Sequence, residues 1–297
     1  MGSSGNGAAE GAGRVRLGDR RHPAGRGHPT GRVRRDGELE VTVTGAGEPV
    51  LVIPTAVDPY ELAPLAGLIA ATGRYRVVQY RRRGSGGSSQ ADRPGTVAGE
   101  AADAAALLEA LGVVRAHVIG ASYSAAIALR LATDRPDLVH TLAVHEPPPT
   151  FVPRAAEFFT ACHRLLRDRA TYGARATLEA FEARMDGPTW RTDLERLAPG
   201  SVAAIDREAE LFFDHDIPAL LSWRFDAGLA GRIRCPVLSL GGTASGPWFA
   251  EVHTVLARWL PQARTVLLPD ADHTMALRRA PEVADLVTAF LAEHPLP

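Results

Sequence analysis

The chain has 297 residues, and its 45% apolar content is enough to bury a core of one or two domains. The formal net charge of -1 gives no overall attraction to nucleic acid or to an anionic membrane, so neither is an expected partner. No apolar run approaches the roughly 18 residues of a membrane span, and the N-terminus lacks the apolar segment of a secretory signal. Cys162 and Cys235 lie far apart and match no metal-ligand spacing. We therefore expect a cytoplasmic protein with reduced thiols, no metal and no cofactor.

The first segment, residues 1–36, is rich in Gly and Arg and contains almost no large apolar side chains. Such a segment cannot bury enough apolar surface to offset its conformational entropy. We predict a disordered tail over residues 1–36 that acts as a spacer.

Strands and helices alternate over the next hundred residues. Residues 39–44 alternate apolar and polar side chains, as in a half-buried strand, and residues 50–53 are a fully apolar run, as in a strand covered on both faces. Asp58-Pro59-Tyr60-Glu61 predicts a helix start, with Asp58 as the cap. Further strands are predicted at residues 75–80, 116–120 and 139–145, and further helices at residues 97–111 and from Tyr123 to just before Pro136. This alternation predicts an α/β fold with a mostly parallel, doubly wound sheet.

The strand pattern disappears between residues 151 and 231, where apolar residues recur at helical spacing and prolines separate several helices. Strands resume at residues 236–240 and 265–268, and a helix over residues 281–291 closes the chain. We therefore predict a core formed by residues 37–150 and 232–297, with a helical cap at residues 151–231. An insertion between two strands of a parallel sheet is expected to cover the strand ends as a lid.

A candidate nucleophile lies in Gly120-Ala121-Ser122-Tyr123-Ser124, between an apolar strand and a helix of small residues. The pattern G-x-S-x-G in this setting forms a sharp turn that exposes the serine, here with Ser124 in the final place. The turn sets Ser122 at a helix N-terminus, where free backbone N–H groups favour developing negative charge. The alternative is an ordinary serine in a tight turn.

Three segments resemble the α/β-hydrolase superfamily: the loop at residues 80–89, the turn at residues 117–128 and the histidine loop at residues 269–275. The similarity extends over residues 38–294 and is greatest to the cap-bearing bacterial branch of esterases, C–C bond hydrolases and cofactor-free haloperoxidases. In the count of strands that this resemblance implies, the cap follows the sixth strand. The resemblance also implies Ser122 as the nucleophile and His273 as the base that activates it.

The acid of the triad departs from the commoner family pattern. The loop after the strand that follows the cap, residues 241–248, contains no carboxylate. Some relatives carry the acid one strand earlier, where this chain has Glu146. Asp272 and Asp270 are rivals because they lie close to His273 in sequence, although a side chain adjacent in sequence usually points away. We predict Glu146 as the acid.

The oxyanion loop departs as well. Relatives usually carry His-Gly after the third strand, whereas this chain has Pro54-Thr55-Ala56-Val57. Pro54 has no N–H to donate. The expected donors are the backbone N–H groups of Tyr123 and Ala56, with the Thr55 hydroxyl as a further candidate.

A concave, mostly apolar pocket under the cap is expected to bind the substrate. Candidate pocket residues are Thr55 and the aromatic side chains Trp190, Trp223 and Trp248, although core packing is as good an explanation of each tryptophan. The arginine run at residues 81–83 either meets an acidic substrate or forms ion pairs with nearby carboxylates.

The leading functional hypothesis is a serine hydrolase of an ester, or a C–C bond hydrolase, acting on a small-molecule substrate of small to medium size and apolar character. A non-hydrolytic lyase or cyclase of a natural-product pathway is the first alternative, because the oxyanion loop and the acid both depart from the common pattern. A catalytically silent binding protein is the second alternative. A homodimer is compatible with the sequence.

Overall fold

The computed structural model describes residues 10–17, 37–185 and 187–297. Within these residues an eight-stranded sheet has the order β1-β2-β4-β3-β5-β6-β7-β8. The pairs β1–β2 and β2–β4 are antiparallel, and the other neighbouring pairs are parallel, so the prediction of a mostly parallel sheet is confirmed. The strands are β1 (Glu10–Leu17), β2 (Gly37–Thr44), β3 (Glu48–Val52), β4 (Tyr75–Tyr80), β5 (Ala116–Ala121), β6 (Val139–His145), β7 (Val237–Gly242) and β8 (Ala263–Leu268).

Helices connect the parallel strands and form the insertion between β6 and β7. None of the helices in the described residues combines the length and the apolar character that crossing a bilayer requires. The helices are α1 (Ala63–Ala71), α2 (Val97–Ala110), α3 (Tyr123–Asp134), α4 (Ala155–Tyr172), α5 (Ala174–Met185), α6 (Trp190–Leu197), α7 (Ser201–Leu211), a π-helix (Phe212–Asp216), α8 (Ile217–Ser222), α9 (Ala227–Ala230), α10 (Pro247–Trp259), α11 (Met275–Arg278) and α12 (Ala280–Ala292).

Both faces of the sheet are covered, because its central strands are apolar on both sides. Along β3, Val50 and Val52 pack on one face against α1 and α12, whereas Leu51 packs on the other face with α2, α3 and α10. β5 is buried along its whole length. The short, fully apolar runs of the sequence therefore form strands buried on two sides, as expected for a parallel sheet.

The helices α4 to α8 share an apolar cluster of their own. Leu277 of α11 belongs to this cluster, and Ala56 and Val57 of the loop after β3 pack against it. Because that loop and α11 follow the carboxyl ends of parallel strands, the insertion meets the sheet at the edge where active sites of parallel sheets form.

The predicted disorder of residues 1–36 is wrong for β1. All eight residues of β1 pair with β2 in an antiparallel register that places Leu17 opposite Gly37. Leu17 is buried and Val15 packs against the sheet core. These two apolar side chains are enough to hold β1 in place, because the free backbone groups along the edge of β2 supply its hydrogen bonds. The remainder of the predicted tail lies outside the described residues.

Candidate active site

Ser122 forms the sharp turn between β5 and α3. Its backbone has φ of 50° and ψ of −121°, a conformation that non-glycine residues rarely adopt. Gly120 permits the turn, because a Cβ at that position would lie 2.4 Å from the backbone oxygen of Ser124. The Ser124 hydroxyl donates to the carbonyl of Ala121 and accepts from its N–H, both at 2.9 Å. These two hydrogen bonds explain how a serine is accommodated where glycine is usual.

The structure brings Ser122, His273 and Glu146 together at the carboxyl edge of the sheet. The three residues follow β5, β8 and β6. The Nε2 atom of His273 lies 3.0 Å from the Ser122 Oγ, and its Nδ1 atom lies 2.6 Å from the Glu146 Oε2. The imidazole is stacked on the Phe249 ring, with centroids 4.2 Å apart and an interplanar angle of 12°, which fixes its orientation. A hydroxyl, an imidazole and a carboxylate thus form one hydrogen-bonded chain.

Neither rival carboxylate has taken the place of Glu146 beside His273. Asp272 accepts hydrogen bonds from the backbone N–H and the hydroxyl of Thr274, at 3.0 and 2.6 Å, and is exposed. Asp270 is also exposed. Both rivals are exposed, whereas Glu146 follows β6 and its side chain reaches His273 across the intervening β7.

Backbone strain is concentrated around this chain of groups. In the described residues, the non-glycine residues with positive φ are Val57 (62°), Ser122 (50°), Glu146 (42°) and Asp270 (55°). Val57, Ser122 and Glu146 each follow a strand at the carboxyl edge, and a β-branched residue such as Val57 is particularly disfavoured there. Strained backbone of this kind persists where the surrounding structure enforces it, and it is typical of functional sites.

Glu146 is fully buried, but it is well supplied with hydrogen-bond donors. Its Oε1 accepts from the Gly242 N–H at 2.8 Å and its Oε2 accepts from His273. Burial alone would raise the pKa of Glu146, but the imidazoles of His145, His253 and His273 outweigh it and hold the pKa far below the usual range. The carboxylate is therefore ionised at neutral pH.

Sequence reasoning missed the two further histidines around Glu146, His145 and His253. His145 Nε2 lies 3.6 Å from the Glu146 Oε2, and His253 Nε2 lies 3.8 Å from the Oε1. The position of His145 directly before the acid was the available signal; nothing in the sequence places α10, which carries His253, beside Glu146. We call Glu146, His145, His253 and His273 the Glu146 cluster.

One trio in this cluster has the side-chain types of a metal site. Single ligand atoms of His145, Glu146 and His273 lie within 4.8 Å of one another. The 2.6 Å between His273 and Glu146 is, however, the length of a charge-assisted hydrogen bond and leaves no room for an ion between the two atoms. We therefore interpret the trio as a hydrogen-bonded cluster.

The residues of the two predicted oxyanion donors line the same cavity as the serine. Tyr123 is the first residue of α3, so its N–H has no acceptor within the helix. Ala56 precedes the strained Val57 in the loop after β3. Tyr123, Ala56 and Ser122 all line the same cavity. Both predicted donor residues therefore lie on the wall of the cavity to which Ser122 belongs.

Thr55 also lies on the cavity wall, but its hydroxyl serves the loop. The hydroxyl is 2.7 Å from the Glu61 Oε2 and 3.1 Å from the carbonyl of Asp58. Its single proton is therefore used within the loop rather than held for an oxyanion. The predicted helix start at Asp58 is also wrong: Asp58 Oδ1 accepts from the Tyr60 N–H at 2.9 Å in a turn, and α1 begins at Ala63.

The cavity over Ser122 has a volume of about 570 Å³. His273 and Trp248 are on its wall, so the structure places Trp248 where the sequence predicted it. The buried polar residues on the wall include Asp58 and Glu182, whereas the arginines on the wall are exposed. The apolar lining comes mostly from the insertion and includes Phe158, Cys162, Leu165, Phe181, Met185, Leu194, Phe212, Ile217, Leu220, Phe249 and Leu277.

The other two tryptophans predicted to bind substrate do not line this cavity. Trp190 is 2% exposed in the apolar cluster of the insertion, and its indole N–H donates to Glu179 at 3.2 Å. Trp223 is 3% exposed and packs between Phe151 and Phe225 in the main core. A buried aromatic residue is equally well explained by a core or by a pocket, and here both side chains belong to cores.

The arginine run after β4 forms ion pairs rather than a free cationic surface. The N···O pairs are Arg81–Glu208 at 2.9 Å, Arg82–Asp216 at 2.8 Å and Arg83–Asp103 at 2.8 Å. Arg82 makes two parallel hydrogen bonds to Asp216 of the π-helix and a third to Glu100 at 3.2 Å. His215 also contacts both carboxylates, so we call Arg82, Glu100, His215 and Asp216 the Arg82 cluster.

Known proteins resemble this chain in sequence and in fold. The profile of the alpha/beta hydrolase family matches residues 50–286. Among individual sequences, RutD of Stutzerimonas stutzeri (strain A1501), which is named a carbamate hydrolase, is 27% identical over 252 residues, covering 83% of this chain and 92% of the relative.

Solved structures share the fold at lower identity. An esterase from Thermogutta terrifontis superposes with a TM-score of 0.75 at 21% identity, covering 96% of this chain and all of that one. A bromoperoxidase from Bacillus anthracis superposes with a TM-score of 0.69 at 20% identity, covering 87% of this chain and 97% of that one. The predicted resemblance to the α/β-hydrolase superfamily is confirmed, and the chain is similar to members with different activities.

Proposed function

Because this chain belongs to the alpha/beta hydrolase family, we propose that it is a serine-nucleophile hydrolase of esters or similar carbonyl substrates, of small to medium size and apolar character. The observation that carries the proposal is the unbroken hydrogen-bonded path from the Ser122 hydroxyl through His273 to Glu146, with separations of 3.0 and 2.6 Å. This path is the arrangement that activates a neutral hydroxyl as a nucleophile.

The proposed reaction begins with attack of the Ser122 Oγ on the substrate carbonyl carbon. His273 Nε2 accepts the hydroxyl proton, and Glu146 holds the ring by its Nδ1–H and balances the imidazolium charge. The N–H groups of Tyr123 and Ala56 donate to the oxyanion of the tetrahedral intermediate. His273 then protonates the leaving group, and a water molecule activated by the same imidazole releases the acyl group from Ser122.

The cavity supports an apolar substrate of more than minimal size. Its volume of about 570 Å³ lies in the range of pockets that enclose drug-sized ligands, and its lining is mostly aliphatic and aromatic. A carbamate ion has only a few heavy atoms and would leave most of this space empty. Hydrolysis of carbamate, the activity in the name of the RutD relative, is a second candidate that rests on likeness alone.

The lyase or cyclase hypothesis rests on the departures in the oxyanion loop and in the position of the acid. The position of Thr55 weakens that argument, because its hydroxyl bonds Glu61 and leaves the neighbouring backbone of Ala56 at the cavity wall. A binding protein would also have no need of the aligned Ser122 and His273. We therefore favour hydrolysis, with the helices α4 to α8 acting as the roof over the substrate.

Labelling with a fluorophosphonate tests the proposal directly. We expect one adduct per chain, located on Ser122 by peptide mass spectrometry, and no labelling of Ser122→Ala. Ser222→Ala is the matched control and should label like the wild type, because the Ser222 hydroxyl only donates to the Ala219 carbonyl within its own helix. A folded wild-type protein that stays unlabelled would exclude an activated serine and favour the binding hypothesis.

A further inference from the structure

The charge of Glu146 poses a physical problem. The residue is fully buried, and a carboxylate in such a place is protonated unless donors or cations stabilise its charge. Two N–H donors, from Gly242 and His273, are in direct hydrogen-bond contact. In the part of the chain that the structure describes, the ion-pair partners of Glu146 are histidines and include no arginine. The groups that face it instead are the imidazoles of His145 and His253.

His253 is held in a position from which its Nε2 faces the carboxylate. Its Nδ1 lies 3.3 Å from the Ser239 hydroxyl, while its Nε2 is buried and has no hydrogen-bond partner within normal distance. The ring presses against the backbone of β7, where a Cβ on Gly241 would lie 1.8 Å from the Nε2. The absence of a side chain at Gly241 is therefore what lets His253 approach to 3.8 Å of the Glu146 Oε1.

His145 approaches the carboxylate from the other side. It is 4% exposed, and neither ring nitrogen has a hydrogen-bond partner within normal distance. Its ring centroid lies 5.6 Å from that of His273, and its Nε2 lies 3.6 Å from the Glu146 Oε2. The charged and titratable groups around it are Glu146, His273 and His253; burial lowers the pKa of His145 despite the adjacent carboxylate, so the ring is neutral at neutral pH.

We propose that His145 and His253 are positioning residues whose imidazole Nε2–H groups are directed at Glu146 and keep its carboxylate ionised and oriented toward His273. The inference rests on the proposed serine hydrolase function. A neutral N–H donor serves beside Glu146 better than a permanent cation, because a cation would neutralise the carboxylate in the ground state as well as in the transition state. With neutral donors, the charge of Glu146 remains available to the imidazolium that forms on His273 during attack.

The donor role predicts a shift in the pH profile. His145→Phe and His253→Phe keep a ring but remove the N–H. The ionised form of Glu146 then loses stabilisation, and the neutral, active form of His273 is populated only at higher pH. The acid limb of kcat/KM for a p-nitrophenyl ester should move to higher pH by about one unit, a ~10-fold loss at pH values below the limb, with KM nearly unchanged. His145→Gln and His253→Gln carry an amide N–H near the Nε2 position and should restore most of the wild-type profile.

His117→Gln is the matched control, because His117 is a fully buried histidine at the opposite end of β5, bonded to Thr141 and Glu48. It should lower the melting temperature without moving the acid limb. If the Phe variants keep the wild-type limb and lose only stability, His145 and His253 are packing residues and the inference is wrong. A wild type that is neither active nor labelled by fluorophosphonate would instead overturn the proposed function.

A measurement on the wild-type protein covers the case in which the Phe variants do not fold. ¹⁵N-histidine spectra at pH 7 report the tautomer of each ring, and the Gln variants assign the signals. We expect His145 and His253 to be neutral Nε2–H tautomers. A neutral Nδ1–H tautomer at both positions would leave a lone pair facing the carboxylate and would contradict the inference, irrespective of any activity.

Discussion

The Glu146 cluster and the Arg82 cluster both bury carboxylates next to the proposed substrate cavity, but they stabilise them by different means. In the Arg82 cluster a guanidinium, which is always charged, makes two parallel hydrogen bonds to Asp216, at 2.8 and 2.9 Å. Burial would raise the pKa of Asp216, but Arg82 and the neighbouring His215 together outweigh it and lower the pKa. Around Glu146 the donors are a backbone N–H and imidazoles. A permanent cation fixes a structure, whereas neutral donors leave the carboxylate charge available to a reaction.

A third buried carboxyl group, that of Asp58, has neither a guanidinium partner nor facing imidazoles among the described residues. Asp58 accepts one hydrogen bond, from the Tyr60 N–H, and its Oδ2 has no hydrogen-bond partner within normal distance. Burial raises its pKa to about 7, and the neighbouring Glu61 adds to the effect. The comparison therefore predicts three different responses when the carboxylates or their partners are changed.

The largest effect is expected at Glu146. Glu146→Gln keeps the size of the side chain but removes the charge that balances the His273 imidazolium, so kcat should fall by ~10³–10⁴-fold in a p-nitrophenyl ester assay. Asp272→Asn is the matched control and should stay near the wild-type rate. A loss of turnover in the Asp272 variant alone would transfer the role of the acid to Asp272.

The second-largest effect is expected at Arg82, on the stability of the fold. Arg82→Met leaves Asp216 and Glu100 buried without their cation, which should lower the free energy of unfolding by about 3–5 kcal/mol in urea titrations. The rate per folded molecule should change far less than in Glu146→Gln. Arg82→Lys keeps a charge but cannot form the two parallel bonds, so its loss should be intermediate. If Arg82→Met loses turnover without losing stability, the Arg82 cluster belongs to the reaction and the contrast fails.

The smallest effect is expected at Asp58 and depends on pH. Because the pKa of Asp58 is raised from 3.8 to about 7 in the folded state, that state binds a proton between these values that the unfolded chain has released. Stability therefore decreases as the pH rises through this window. Asp58→Asn keeps the Oδ1 acceptor and removes the charge, so it should exceed the wild type by about 1–3 kcal/mol at pH 8 and match it near pH 4.

Thermal unfolding at the two pH values checks this prediction. Asp134→Asn is the control, since Asp134 pairs with Arg130 on an open helix surface. A stability difference between Asp58→Asn and the wild type that does not vary with pH would show that folding does not raise the pKa of Asp58.

The sequence was most informative where geometry follows from chain order. Ser122 could be placed from the G-x-S-x-G turn between a strand and a helix, and His273 and Glu146 from the resemblance to the α/β-hydrolase superfamily, with the strand of Glu146 expected beside that of Ser122. The alternation of apolar runs likewise predicted the sheet and the position of the helical insertion. These features depend on local patterns and on the rule that the ends of parallel strands share one edge.

The remainder depends on packing that no local pattern encodes. Trp190 and Trp223 were candidates for a pocket or for a core, and the sequence does not distinguish the two kinds of burial. The approach of His253 to Glu146 depends on how α10 lies against Gly241, a contact between segments with no shared periodicity. Pairing of β1 depends on backbone groups of an edge strand, which any sequence can use.

Trapping the acyl intermediate tests whether Ser122 is the nucleophile that the His273–Glu146 pair activates. Wild-type protein is mixed with p-nitrophenyl butyrate, quenched in acid within milliseconds and digested for mass spectrometry. We expect a burst of one p-nitrophenol per chain and a butyryl group on Ser122. A butyryl group on another residue, or turnover by Ser122→Ala at the wild-type rate, would contradict it.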